Sequence, residues 1–182
     1  MRWLGLDPGE KRTGVAVSSP EGTYAIPVRV LRHCAEGPTV ADIERLVDEY
    51  RPDGLVIGLP LSMSGRPSEQ TNAVVEFAQR VAEHFGVIPE FPPGTRELFL
   101  EKREHTPGRD RPAGTVARFR IVLWDERLSS WEAGRLVGVE ETDRTRRSGR
   151  KPALDAHAAA VILRSFLDSL GVDGLRQGRP AG

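Results

Sequence analysis

Acidic residues stand at the ends of three predicted elements of the chain. Asp7 ends the apolar run WLGL and is followed by a Pro-Gly turn. Asp125 and Glu126 end a second apolar run, FRIVLW, and Asp155 lies in the first turn of a predicted helix, KPALDAHAAAVIL. Strands and helices hold side chains more rigidly than loops do, so acids at such positions are well placed for chemistry.

Taken singly, each acid also has an ordinary explanation. Asp7 before Pro-Gly is compatible with a turn former whose side chain accepts turn amides. Asp125 and Glu126 are compatible with a post-strand turn that pairs with Arg127, and Asp155 with a first-turn acid that complements the helix dipole. The combination favours function, because carboxylates that converge repel one another unless a cation lies between them.

The composition indicates which cation would suit this site. The chain has one Cys and four His, so the candidate ligands are carboxylate oxygens, which favour a hard ion such as Mg²⁺ or Mn²⁺. Two such ions, about 4 Å apart, would stabilise the attacking and leaving oxygens of an in-line phosphodiester cleavage. His157 points away from Asp155 on a helix, and we interpret it as a surface or supporting residue.

Length and composition predict one soluble globular domain. The 182 residues are 38% hydrophobic and 29% charged, with a formal net charge of zero. The single Cys34 excludes an intramolecular disulfide and a Cys-based metal site. No apolar run is long enough for a membrane helix, and the first residues are unlike a signal peptide. We therefore expect a cytoplasmic protein without a membrane partner.

The apolar patterns predict the elements that must position the acids. Runs at 2–7, 14–19 and 24–31 predict three antiparallel strands, and Pro27 predicts that the third is an edge strand or carries a bulge. Continuous apolar runs at 54–58 and 119–124 predict buried parallel strands. Helices are predicted at 39–50, 68–85, 129–137 and 152–170, with a short one possible at 96–103.

This order of elements predicts an α/β fold. The sheet is mixed and five-stranded, with three antiparallel strands followed by parallel crossovers and with helices on both faces. Side-chain alternation along a strand sends Asp125 and Glu126 to opposite faces, so only one of them is expected at the site. We expect a single domain over 1–170 with an insertion at about 86–118, and a flexible C-terminal tail at 171–182.

Four blocks in order, LGLDPGEKRTGVAVS, VIGLPLSMSG, LWDERLSSWEA and KPALDAHAAAVIL, resemble the YqgF/RuvX family. The resemblance implies an RNase H-like fold related to RuvC. It matches Asp7, Glu126 and Asp155 to the family's acidic triad, and so implies that these three are the catalytic residues and the ligands of Mg²⁺ or Mn²⁺. The chain departs from the family pattern at LSMSG, where LNMDG is common, and at Ser19, where an acid is common.

The resemblance carries two functional assignments. The first is a metal-dependent endonuclease, a hydrolase that processes the 5′ end of pre-16S rRNA in ribosome biogenesis, with structured RNA and ribosomal particles as partners. The second is a Holliday junction resolvase that acts on branched DNA in recombination or repair. A non-catalytic nucleic-acid-binding factor is a further alternative, and both monomer and homodimer remain open.

A further class of proteins, which bind ATP, resembles this chain only in its first predicted hairpin. The stretch DPGEKRTGVAV resembles the phosphate-binding hairpin of actin-like kinases and chaperones, but those proteins need two lobes, for which 182 residues are too few.

Basic residues flank each acid in the sequence and predict contacts with a phosphate backbone. The predicted nucleic-acid-binding residues are Lys11, Arg12, Arg66, Arg127, Arg146, Arg147, Arg150 and Lys151. A solvated charged loop would explain the run at 144–151 equally well.

Overall fold

The computed structural model describes residues 1–34, 37–62, 67–95, 119–127 and 151–177, with the side chains of residues 154–170 in the last helix. The predicted helices at 96–103 and 129–137 lie outside these residues. The described elements, in chain order, are β1 (Trp3–Pro8), β2 (Arg12–Ser18), β3 (Ala25–Arg32), α1 (Val40–Tyr50), β4 (Gly54–Leu59), α2 (Glu69–Phe85), β5 (Arg120–Asp125) and α3 (Lys151–Gln177).

The five strands form one mixed sheet in the order β3-β2-β1-β4-β5. β1 pairs antiparallel with β2, which pairs antiparallel with β3. β4 pairs parallel with β1 and with β5. The predicted sheet of three antiparallel strands followed by parallel crossovers is therefore confirmed.

Pro27 lies where the sequence pattern predicts. β3 is an edge strand, and the β2–β3 register shifts between Val15 and Ala16, with Ala16 opposite Pro27. Both the edge position and the bulge accommodate a residue that has no backbone N–H to donate. The other edge strand, β5, is extended by a single bridge between Val122 and Glu90, so the start of the predicted insertion lies along the sheet.

Helices cover both faces of the sheet and bury two separate cores. The first two helices begin where they are predicted, with Thr39 and Ser68 as N-caps, and each N-cap forms a capping box. Both helices pack against the face of the sheet that carries Leu4 and Leu6, which we call the α1/α2 face. The opposite face, the α3 face, packs Trp3 and its neighbours against the last helix.

Helix α3 is longer than predicted. It runs on to Gln177 instead of ending at Leu170. Gly171 and Gly174 are typical helix-end signals, but a glycine inside a helix costs only about 1 kcal/mol and does not by itself end it. No helix in the described part of the chain combines the length and apolar character needed to cross a membrane.

Candidate active site

Asp7 lies on the α3 face near the C-terminal end of the central strand β1. Leu4 and Leu6 pack on the α1/α2 face, so alternation sends the side chain of Asp7 to the other one. The turn that follows is closed by its backbone, since the Gly9 N–H donates to the Arg12 carbonyl at 2.8 Å. The turn therefore does not depend on the Asp7 carboxylate to close.

Asp155 reaches Asp7 because α3 lies directly on strand β2. Gly14 is the register partner of Asp7 in the β1–β2 ladder. A Cβ atom placed on Gly14 would lie 1.9 Å from the Asp155 carbonyl oxygen. Only a glycine lets the backbones approach this closely, so the absence of a side chain at Gly14 determines where Asp155 sits.

Glu126 approaches Asp7 from the other side, over β4. It follows the last residue of β5, and alternation sends Glu126 to the α3 face and Asp125 to the α1/α2 face, as predicted. A Cβ atom placed on Gly58 would lie 2.8 Å from Glu126 Oε1 and 2.7 Å from the Cδ1 of Ile162 in α3. Gly58 directly follows Ile57, the register partner of Leu6. A second glycine thus makes room for the second acid.

The three acids are coupled electrostatically through Asp7. Burial, followed by repulsion from Asp155, raises the pKa of Asp7 to about 6. Burial, followed by repulsion from Asp7 and then from Asp125, raises the pKa of Glu126 to about 7. Ionised carboxylates in this arrangement are costly without a cation, and raised carboxyl pKa values of this kind cluster at functional sites.

These pKa shifts predict a pH-dependent stability for the metal-free protein. Because the folded-state pKa values of Asp7 and Glu126 lie above the unfolded-state values, both carboxyls favour folding while protonated. Their contribution is full below about pH 4 and is lost as the pH rises through about 6 and 7. We expect urea unfolding in EDTA to show a loss of several kcal/mol, about 6 at most, in the free energy of unfolding between about pH 4 and pH 7.

The variant Asp7→Asn/Glu126→Gln provides the control. It should remove most of this pH dependence, because neither amide ionises. If the free energy of unfolding of the double variant depended on pH as strongly as that of wild type, the pH dependence would not come from Asp7 and Glu126.

Asp155 forms an ion pair with Arg12. Its Oδ2 lies 3.1 Å from Arg12 Nε, and the two side chains are 27% and 35% exposed, respectively. The same Oδ2 atom is buried and accepts no hydrogen bond from the described residues, so the contact is an ion pair without hydrogen-bond geometry. The Asp155 carboxylate is therefore incompletely satisfied.

The described residues fit a divalent cation in donor chemistry, although the three acids do not form one closed ligand set. Asp7 and Asp155 supply hard oxygen donors at a shared cleft, and the buried, unsatisfied Asp155 oxygen is an open ligand position. Within the described ranges, no group of three or more His, Cys, Asp or Glu side chains is arranged to hold a metal ion. Arg12 occupies the Asp155 end of the site in this arrangement.

The basic residues predicted to bind nucleic acid have different surroundings. Lys11 is exposed and lines the cleft, whose volume is about 260 Å³ and whose wall is formed by Asp7, Gly9, Glu10, Lys11, Arg12 and Asp155. His157 is exposed on α3, as expected for a surface residue. Outside the described residues or side chains lie Arg66, Arg146, Arg147, Arg150 and Lys151.

The Arg127 guanidinium donates hydrogen bonds to other groups of the protein. Its Nε and Nη2 atoms donate to the two carboxylate oxygens of the buried Asp125 at 2.6–3.1 Å. Its Nη1 donates to the Ser62 carbonyl at 3.3 Å. Arg127 therefore ties the end of β5 to the loop after β4, and this contact holds the residues on both sides of Glu126.

We expect Arg127→Ala to destabilise the fold by about 2 kcal/mol, because the variant leaves the Asp125 carboxylate buried without its partner. Urea unfolding measures the loss. Asp125→Asn/Arg127→Ala is the matched control, and it should be less destabilised than the sum of its single variants because both members of the pair are gone. Additive losses would contradict the role of Arg127 as the partner of Asp125.

Sequence reasoning missed Gly14 and Gly58, which make room for two of the acids. Each stands in a strand beside β1 and close to the level of Asp7, and a glycine inside an apolar strand is a signal of close backbone approach.

Ser19, which replaces a common acid of the family pattern, has a local role. Its Oγ accepts from the Thr23 and Tyr24 N–H groups, at 3.1 and 3.4 Å, and so stabilises the β2–β3 turn.

Comparison with known proteins identifies the family. The family model for RuvX, described as Holliday junction resolvase, matches residues 1–92 and 112–169. The unmatched residues between them lie within the predicted insertion. A protein from Caldanaerobacter subterraneus subsp. tengcongensis, named "Putative pre-16S rRNA nuclease", is 32% identical over 169 residues, covering 93% of this chain and 97% of its own. A Clostridium botulinum protein of the same name is 32% identical over 170 residues, covering 93% and 98%.

Among solved structures, Thermus thermophilus RuvC in complex with a Holliday junction substrate aligns with a TM-score of 0.48 and 15% identity, covering 98% of this chain and 97% of that one. The family assignment depends on the sequence matches, which span nearly the whole chain and contain all three acids. This chain belongs to the RuvX family.

Proposed function

We propose that this protein is a metal-dependent endonuclease whose catalytic residues are Asp7, Glu126 and Asp155, and that its substrate is the 5′ end of pre-16S rRNA. Membership of the RuvX family makes it a nuclease, a hydrolase of phosphodiester bonds. The observation that carries the catalytic assignment is the approach of three acids from separate elements on the α3 face, two of them with raised pKa values. In a nuclease, that arrangement is suited to divalent cations.

The three acids would hold Mg²⁺ or Mn²⁺ through carboxylate oxygens, with two ions as the proposed number. When bound, such cations would supply activation of a water nucleophile and stabilisation of the leaving oxygen. Of the chain's own residues, Lys11 and Arg12 line the cleft and would serve as phosphate-binding cations. Asp125 faces the other side of the sheet and has no place in this ligand set.

RNA is the proposed substrate because the curated relatives are named for pre-16S rRNA. It follows that the enzyme would work in the cytoplasm on precursor ribosomal particles. The description of the family model favours a second candidate, resolution of branched DNA. One acidic site serves either polymer, because the reaction takes place at the phosphodiester linkage that RNA and DNA share.

A direct cleavage assay distinguishes the candidates. Purified protein is incubated with pre-16S rRNA fragments that carry the natural 5′ extension, and separately with four-way DNA junctions, in Mg²⁺, Mn²⁺ or EDTA. Metal-dependent cleavage of the RNA at a fixed position supports the proposal. Cleavage of the junctions alone favours the resolvase, and binding without cleavage of either favours a non-catalytic factor.

The basic run before Asp155 supplies a prediction about binding. If Arg146, Arg147 and Arg150 each neutralise a phosphate, their joint replacement by Ala should lower the slope of log K against log salt by about 2–3. Fluorescence anisotropy across a salt series measures that slope. Arg45→Ala, at an 80% exposed side chain on α1, which covers the opposite face of the sheet from α3, serves as a control and should leave the slope unchanged. An unaltered slope in the triple variant would place these arginines outside the binding surface.

A further inference from the structure

Arg12 has two possible partners in the cleft. It lines the opening where a phosphate would lie, and its Nε is 3.1 Å from Asp155 Oδ2. One guanidinium cannot serve both fully, so its position must depend on what else occupies the cleft.

The ion pair neutralises Asp155 incompletely. The Asp155 Oδ2 atom is buried, yet no hydrogen bond from the described residues reaches it. A carboxylate oxygen removed from water and left without a hydrogen bond retains a substantial desolvation cost. A cation that binds this oxygen directly would satisfy it better than Arg12 does.

Displacing Arg12 costs little. Its side chain is 35% exposed and lies at the mouth of an open cleft, so the guanidinium can return to water without crossing the protein interior. Ion pairs this accessible to solvent contribute at most about 1 kcal/mol. The contact is thus strong enough to reduce the affinity of a competing cation and weak enough to be replaced by it.

We propose that Arg12 is an internal counter-ion of the candidate active site: it occupies the Asp155 carboxylate in the metal-free protein and is displaced when a divalent cation binds. This inference depends on the proposed metal site. Displacement releases the guanidinium beside Lys11, where phosphate is expected, so metal binding and the phosphate-binding role of Arg12 become linked. Arg12 is a positioning residue in the first state and a binding residue in the second.

Metal titration without nucleic acid tests the competition. Free Mn²⁺ is followed by electron paramagnetic resonance while Mn²⁺ is added to wild type, Arg12→Ala and Lys11→Ala at one pH and ionic strength. Arg12→Ala should bind Mn²⁺ about three- to fivefold more tightly, because the competing guanidinium is gone. Lys11→Ala removes one charge from the same hairpin without removing the contact to Asp155, and should change the affinity less than about twofold.

The Asp155→Asn background shows whether the effect passes through that carboxylate. In Asp155→Asn, replacing Arg12 should change Mn²⁺ affinity no more than replacing Lys11 does. Arg12→Gln, which keeps more of the side chain, guards against local rearrangement in Arg12→Ala and should give the same increase. Thermal melts of each variant verify that all are folded.

The possible failures are distinguishable. If wild type binds Mn²⁺ and cleaves nucleic acid in a metal-dependent manner, but Arg12→Ala matches Lys11→Ala or binds Mn²⁺ more weakly than wild type, the counter-ion role is overturned and the proposed function stands. If wild type binds no Mn²⁺, both are overturned.

Discussion

Replacing Asp7 with Asn is expected to abolish cleavage while nucleic-acid binding survives. The substitution keeps the shape of the side chain and removes the charge through which the three acids are coupled. Loss of a metal-binding carboxylate at the reacting centre should lower the cleavage rate by roughly 10³-fold or more, equivalent to about 4 kcal/mol of transition-state stabilisation. Single-turnover cleavage of the pre-rRNA fragment measures the rate, and anisotropy measures binding.

Glu10→Gln is the matched control for this prediction. Glu10 lines the same cleft on the same hairpin, is exposed, and is not one of the proposed ligands. Its replacement removes one negative charge from the cleft and should change the rate by less than about tenfold. Equal cleavage by Asp7→Asn and wild type would refute the catalytic assignment, and equal losses in both variants would reduce it to a general effect of charge.

The same reasoning separates the two neighbouring acids at the end of β5. Glu126→Gln should affect cleavage strongly, because Glu126 is on the α3 face with Asp7. Asp125 instead holds Arg127 on the opposite face, so its chief contribution is to the fold. Strand alternation predicts that the two acids face opposite sides, and the family resemblance is what matched Glu126 to the triad.

Local patterns predicted the fold well where the determining physics is local. Capping boxes at Thr39 and Ser68 start two helices, and the missing N–H of Pro27 indicates an edge strand. Apolar periodicity also sorts the strands into antiparallel and parallel types. These signals are readable because each depends on residues within a few positions of one another.

The unpredicted features depend on contacts between distant parts of the chain. Arg12 was predicted only as a phosphate-binding residue, because nothing near it in sequence indicates that it would meet Asp155. Arg127 was predicted to bind phosphate, with pairing to the neighbouring acids as the alternative. The structure shows its pairing with Asp125 and adds a bond to the remote Ser62 carbonyl, which nothing near Arg127 in the sequence indicates. The sequence shows that an arginine is charged, but the fold determines which acceptor its guanidinium reaches.

Gly14 is the clearest case of such a long-range determinant, and Gly14→Ala is the second substitution expected to have a large effect. The added Cβ would lie 1.9 Å from the Asp155 carbonyl oxygen and 2.6 Å from its carbonyl carbon. Both are backbone atoms, so no side-chain rotation relieves the overlap, and β2 or the start of α3 must move. We expect a loss of about 1–3 kcal/mol in the free energy of unfolding, together with displacement of Asp155 from Asp7.

That displacement should also impair catalysis, because a misplacement of about 1 Å at a reacting centre can cost about 10²-fold in rate. A second readout is independent of activity. With Asp155 farther away, the pKa of Asp7, measured by carboxyl ¹³C NMR in EDTA, should fall from about 6 towards its ordinary value.

Gly5→Ala separates the local effect from general damage to the helix–sheet packing. Its Cβ would lie 2.8 Å from Leu163 Cβ, so it disturbs the same helix on the same face of the sheet but farther along α3 from Asp155. At equal destabilisation, Gly5→Ala should retain more cleavage activity than Gly14→Ala and leave the Asp7 pKa near its wild-type value. If the two variants lost activity in parallel, Gly14 would matter only for stability. The close approach of β2 to α3 would then not be the feature that positions Asp155.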